Sequence, residues 1–215
     1  MNEVLALAIG YLFGSIPTAY LATKMATGRD IRKLGGGNVG GLNTYREVGL
    51  WPAIAVGLVD FGKGAAAVGI AHSLLQVDTA FVLLAGLFSV IGHNWMVWLK
   101  FTGGKGMGAA IGSLAVIMPL YGYTNGLLIF LGIILVPLVL TRNVALSMGI
   151  GLLTLPLIAW FVTGSALATV MAVVLLLVIG LKFLPTALKA IRKSGAGAFG
   201  VDRWQGEEKD KGQAG

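Results

Sequence analysis

Seven apolar runs, each about 17 to 25 residues and so long enough to cross a bilayer as a helix, occupy most of this 215-residue chain. They fall at roughly 4–23, 51–74, 79–98, 106–122, 124–141, 144–162 and 165–184. Inside lipid a backbone has no water to bond with, so a single crossing segment must satisfy its own N–H and C=O groups as a helix. The expected fold is therefore all-α: a polytopic integral membrane protein of about seven transmembrane helices, with residues 1–193 forming one membrane domain. A charged fraction of 12% and a mean hydropathy of +0.85 lie far outside the soluble range and agree with this. The first run begins MNEVLALAIG without a basic leader and continues through Pro17, which reads as a retained span rather than a cleaved signal peptide. From Ser194 the chain turns to glycine, charge and glutamine, ending GEEKDKGQAG. Residues 194–215 are expected to be a disordered cytoplasmic tail, with Phe199 to Trp204 resting at the interface.

The basic residues alternate with the spans. Lys24, Arg29, Arg32, Lys33 and Arg46 lie in the first connection, Lys100 and Lys105 in the third, Arg142 in the fifth, and seven more from Lys182 onward. The second, fourth and sixth connections contain no Lys or Arg, and the remaining basic residue, Lys63, lies within a span. The positive-inside rule then puts the N-terminus outside and the C-terminus in the cytoplasm. The net charge of +7 reflects membrane topology, and with no basic helix in a soluble module no nucleic-acid partner is expected. Pairs such as Gly10 with Gly14 and Gly108 with Gly112 have the small-xxx-small spacing that lets helices approach closely.

The chain has no cysteine and only two histidines, which excludes thiolate chemistry and leaves too few ligands for a typical catalytic zinc. No metal or cofactor is expected. The polar residues that remain gather in three connections on the cytoplasmic side. The first reads GRDIRKLGGGNVGGLNTYREVG. Gly35, Gly37 and Gly40 spell GxGxxG, but no βαβ unit surrounds them. Unhindered amides of Gly35, Gly36 and Gly37 can form an anion-binding nest, to which Asn38, Asn43 and Arg46 add donors. A flexible loop whose cations only set orientation would look much the same.

The third connection, GHNWMVWLKFTGGKG, places Lys105 among Gly103, Gly104 and Gly106, immediately before an apolar helix. A helix N-terminus and a lysine together favour an anion. The spacing is not that of a Walker A loop, since Gly106 follows the lysine. His93 precedes this loop, and its roles as base, substrate partner or structural group all stay open. Arg142, in TRNVALS, is the basic residue of the fifth connection and a further candidate phosphate ligand, although orientation alone also explains it. Asp60 and Lys63, in VDFGKG, lie three residues apart on one helical face within a span, the arrangement of a structural intramembrane ion pair. A site of this composition beside lipid suits a ligand with a phosphate and a long acyl chain. An anion transporter is the alternative, but the outer half of the chain offers almost no polar path.

These segments, with GSIPTAYL at 14–21, resemble the acyl-phosphate glycerol-3-phosphate acyltransferases, the PlsY family, over roughly residues 8–147. The resemblance implies seven spans in a bacterial cytoplasmic membrane, with no cofactor. It also implies transfer of an acyl group from acyl phosphate to the 1-hydroxyl of glycerol 3-phosphate, giving lysophosphatidic acid and phosphate. Position by position it assigns phosphate binding and catalysis to Asn38, Arg46 and Lys105, with Asn43 and His93 in support. A monomer is compatible with the pattern. The chain departs from the family at Gly36, where GSGN is usual, at Gly41 and Leu42 in place of NIGATN, and at Ala145, where a serine is usual. The stretch LKFLPTALK also puts Phe183 and Thr186 where the family usually has His and Asn. An altered substrate, or a loss of catalysis, is therefore the second alternative.

Overall fold

The structure, a computed structural model, describes the backbone of residues 1–194 and the side chains through 185 and at 188. The expected C-terminal tail lies outside the described residues. Nine α-helices are described: α1 (Asn2–Gly14), α2 (Thr18–Thr27), α3 (Gly41–Glu47), α4 (Leu50–Gly69), α5 (Thr79–Asn94), α6 (Met107–Leu120), α7 (Thr124–Thr141), α8 (Val144–Ile158) and α9 (Ala166–Ser194). Single π turns extend α4 over Ile70–Leu74 and α8 over Ala159–Thr163. The fold is thus all-helical, and the helices coincide with the apolar runs.

Five stretches are long and apolar enough to cross a membrane: Asn2–Thr27, Leu50–Leu74, Thr124–Thr141, Val144–Thr163 and Ala166–Pro185. Two more apolar helices, Thr79–Asn94 and Met107–Leu120, are shorter. At 1.5 Å per residue they measure about 24 and about 21 Å, less than a hydrocarbon layer of about 30 Å.

Two boundaries differ from the expected ones. The first span is not continuous. Proline lacks an N–H and disfavours helical backbone in the residue before it, so α1 stops at Gly14 and α2 starts after Pro17. The break leaves the Ile16 carbonyl without a helical partner, and the Lys63 ammonium of α4 donates to it at 2.6 Å. The third run ends at Asn94 rather than near 98. There the Trp95 carbonyl accepts from the Tyr11 hydroxyl at 2.8 Å, and the His93 carbonyl accepts from the Gly104 amide at 3.0 Å. Residues 96–102 instead fold back as a short hairpin closed by a bridge between Met96 and Thr102.

Small residues set how close the helices lie. A Cβ on Gly10 or Gly14 would strike the carbonyls of Ala85 or Ser89, and one on Gly112 would strike that of Phe61. Both spacings noted in the sequence therefore mark close helix contacts, α1 with α5 and α6 with α4. Gly64 adds a third, against Ala109. One apolar core, including Val90, Phe130, Ile134, Leu155 and Ile179, fills the bundle. A smaller one, with Ile31, Val39, Val56 and Met96, lies under the first connection and the hairpin, fixing those two loops against each other.

Candidate active site

The first and third connections and the start of α8 meet at one end of the bundle around a cavity of about 180 Å³. Asn38, Asp60, His93, Lys105 and Gly106 line it together with Gly40, Gly41 and Leu42 at the start of α3 and Met107 and Gly108 at the start of α6. Val144, Ala145 and Met148 of α8 and Phe183 of α9 close the other side. Five residues singled out in the sequence are thus brought to one space from four separate segments.

Lys105 is half-buried in this cavity, and the first turn of α6 starts beside it. Burial, and after it the neighbouring charge of Arg46, hold the Lys105 pKa below the usual lysine value. Arg46 itself lies in the last turn of α3, exposed and outside the cavity lining, yet close enough for its charge to act. Two cations and the free N–H groups at the start of a 14-residue helix make this end of the cavity attractive to an anion. The Lys105 ammonium lies 4.3 Å from the centroid of the Phe183 ring, and the Lys182 ammonium lies 4.9 Å from that of Trp95.

The glycines divide by what they touch. Gly106 has φ +76°, a left-handed conformation that favours glycine, and caps α6 within the cavity wall. Gly103 and Gly104 lie behind the cavity: a Cβ on either would run into the end of α5, at the carbonyls of His93 and Asn94 or at the His93 ring. Their smallness lets the loop that carries Lys105 lie flat on α5. In the first connection the Gly36 amide donates to Asn43 Oδ1 at 3.3 Å, and the Gly37 amide donates to the Leu34 carbonyl at 2.9 Å. Asn43 Nδ2 donates in turn to the carbonyls of Leu34 and Asn38, at 3.1 and 3.0 Å. Both hydrogens of that amide are engaged, so Asn43 shapes the loop, and a direct phosphate contact would need those bonds broken. Gly35, Gly36 and Gly37 do not line the cavity. Arg142 caps α7, exposed and away from the lining.

Beneath the cavity Asp60 and Lys63 form the ion pair their spacing predicts, at 2.6 Å, with both side chains buried. Asp60 Oδ1 also faces His93 Nδ1 at 3.6 Å, too far for a hydrogen bond. Asp60 therefore belongs to the cavity as well as to the pair, which the sequence alone did not reveal because His93 lies on another helix. Ser147 is buried and donates to the Asn143 carbonyl, so at this point of α8 it is Ala145 that meets the cavity. A second cavity, about 230 Å³ and mainly apolar, lies between α5, α6, α8 and α9. Val90, on its wall, lies against Gly106, on the wall of the first.

A family model described as glycerol-3-phosphate acyltransferase matches residues 4–193. Among curated relatives, glycerol-3-phosphate acyltransferase 1 of Dehalococcoides mccartyi (strain ATCC BAA-2266 / KCTC 15142 / 195) is 47% identical, covering 96% of this chain and 100% of its own. The glycerol-3-phosphate acyltransferase of Prochlorococcus marinus (strain MIT 9313) is 43% identical over 73% of this chain and 74% of its own. The fold is that of crystalline PlsY, an integral membrane glycerol 3-phosphate acyltransferase. Its glycerol 3-phosphate form superposes with a TM-score of 0.77 at 27% identity, covering 90% of this chain and 94% of that one. The lysophosphatidic acid form gives 0.74 at 26% identity, covering 90% and 93%. With a family model matched over residues 4–193, curated relatives of this identity and coverage, and a shared all-helical fold, the chain belongs to the glycerol-3-phosphate acyltransferase family.

Proposed function

We propose that this membrane protein acylates the 1-hydroxyl of glycerol 3-phosphate, with an acyl phosphate as donor, and releases lysophosphatidic acid and inorganic phosphate. The observation that carries it is Lys105, half-buried beside the first turn of α6, with the charge of Arg46 close by. Both substrates bear phosphate, and both would be drawn to this end of the cavity. The donor is already activated, so no enzyme nucleophile is needed, in keeping with a chain that has no cysteine. The glycerol oxygen attacks the acyl carbon, the bond from that carbon to the phosphate oxygen breaks, and the departing phosphate takes the hydroxyl proton. Lys105 and Arg46 hold the phosphates in place and stabilise the charge that develops, while Asn38 donates from the neighbouring loop on the same side of the cavity. His93, backed by Asp60 and pressed against Gly104, fixes the height of the Lys105 loop. The apolar cavity beyond Val90 offers room for part of a hydrocarbon chain.

The same reading places the cavity on the cytoplasmic side of a bacterial cytoplasmic membrane, with seven crossings, an outer N-terminus and a monomer as the working unit. The alternation of basic residues supports the orientation, and a cavity built from one chain supports the monomer. The test is turnover by purified protein in lipid given palmitoyl phosphate and glycerol 3-phosphate. Phosphate and lysophosphatidate should appear together, and Lys105→Ala or Arg46→Ala should abolish both. A folded wild-type protein that binds either substrate without turnover would mark an altered member of the family. Phosphate uptake into sealed vesicles without acyl transfer would favour transport instead.

A further inference from the structure

Lys105 carries its charge where little else holds it. Its ammonium is half-buried, and Arg46 on α3 brings a second positive charge close. Asp60 of α4, the carboxylate lining the same cavity, is already bonded to Lys63 and faced by His93 of α5. Lys182 of α9 has its own ammonium over Trp95. Among the described residues no carboxylate forms an ion pair with Lys105. What it meets is an aromatic face, with Phe183 of α9 4.3 Å away, well within the roughly 6 Å over which a ring attracts a cation. Ring and ammonium both line the cavity.

We propose that Phe183 is a positioning residue for phosphate binding, whose ring holds the Lys105 ammonium in the cavity until an anionic headgroup takes it over. The proposal rests on the phosphate-binding reading of Lys105 and deepens it. A carboxylate at this position would form an ion pair that substrate would have to break. An aliphatic side chain would leave a desolvated ammonium facing only the repulsion of Arg46. An aromatic face lies between these. It attracts the cation enough to restrain four side-chain torsions, and it carries no charge to compete with phosphate. It also favours the protonated amine, opposing burial and Arg46, which both act to discharge it.

The test is calorimetric binding of glycerol 3-phosphate to the full-length protein in lipid nanodiscs, from neutral to alkaline pH, for the wild type, Phe183→Leu and Phe183→Trp. Each is also measured on a Lys105→Ala background. Phe183→Leu should weaken binding roughly 3- to 30-fold and move the alkaline loss of affinity to lower pH, whereas Phe183→Trp should stay within roughly threefold of wild type. On the Lys105→Ala background, Phe183→Leu should have no further effect. An equal loss with and without Lys105 would make Phe183 a packing residue only and overturn the proposal. Unchanged affinity in Phe183→Leu would overturn it too. The Lys105 signal of protein labelled with 13C-lysine, assigned by its loss in Lys105→Arg, follows the titration without ligand. A Lys105 titration unmoved by Phe183→Leu sinks the proposal on its own. A titration that moves, in a wild-type protein that binds no glycerol 3-phosphate, sinks the phosphate-binding reading and leaves the Lys105–Phe183 contact intact.

Discussion

The two sides of the cavity are built on opposite principles. On one side, the loops before α3 and α6 lie backbone to backbone on the ends of other helices. Gly104 abuts the His93 ring and the Val39 carbonyl, and Gly108 abuts Asp60. On the other, α8 and α9 face the same space with side chains alone: Val144, Ala145, Met148 and Phe183. At Gly104 and Gly108 the first wall has no room for a methyl group, so its geometry there is fixed by what is absent. The second can change residue without moving backbone. By the sequence resemblance, Ala145 and Phe183 on that second side are departures from the family pattern, Gly36, where a Cβ would meet nothing within 4 Å, is another, and Gly41 and Leu42 are two more on the first side. Around Lys105 itself, Gly103, Gly104 and Gly106 leave no such freedom.

This contrast can be broken experimentally. The largest effect is expected beneath the rigid wall. Lys63→Met leaves Asp60 buried without its partner and should cost about 3–5 kcal/mol of stability, measured as unfolding in detergent micelles. The double variant Asp60→Leu, Lys63→Met should recover much of that loss. Gly104→Ala forces the Lys105 loop away from α5, and a shift of about 1 Å should reduce turnover roughly 100-fold while much of the protein remains folded. Full activity in Gly104→Ala would show that the first wall is not rigid.

Turnover should also depend on pH through Lys105. Its folded pKa is lowered, and on the proposed function it would hold phosphate only when charged, so activity should be full below that pKa and fall as pH rises through it. The fall should come before the ordinary lysine value of about 10.4 and approach tenfold per pH unit. The smallest effects belong to the side-chain wall and the open loop. Ala145→Ser should fold normally and raise turnover by up to roughly tenfold, by adding one hydrogen bond to a charged substrate, and Gly36→Ser, outside the lining, should fold normally with little change in turnover. A large loss of activity in either would mean that this side is as constrained as the other.

Much of the fold was legible because apolar length is a local property. The apolar runs fall on helices, the first of them broken at Pro17, and the Gly10–Gly14 and Gly108–Gly112 spacings mark close contacts. In the site, Asn38, His93, Lys105 and Gly106 stood out by motif and do line one cavity. What the sequence could not show depends on partners distant along the chain. Asn43 reads as a donor to phosphate, yet its amide is engaged by the carbonyls of Leu34 and Asn38. Gly103 and Gly104 read as amides around a phosphate, yet their smallness serves contact with α5. Phe183 counted only as a departure until α9 placed its ring over Lys105. The break in the first span had a local signal in Pro17, but its partner, Lys63, lies 47 residues further on.

That distance has a bearing on how the chain is made. Synthesis delivers α1 and α2 before α4 exists, so the Ile16 carbonyl at their break first has only the Thr18 amide, at 2.9 Å, and Lys63 arrives later as its second donor. Lys63, for its part, brings a charge into an apolar layer and finds both its acceptors, Asp60 and Ile16, already in the chain. The ammonium thus ties α4 to the break between α1 and α2 through acceptors that all precede, in order of synthesis, the segment carrying Lys105.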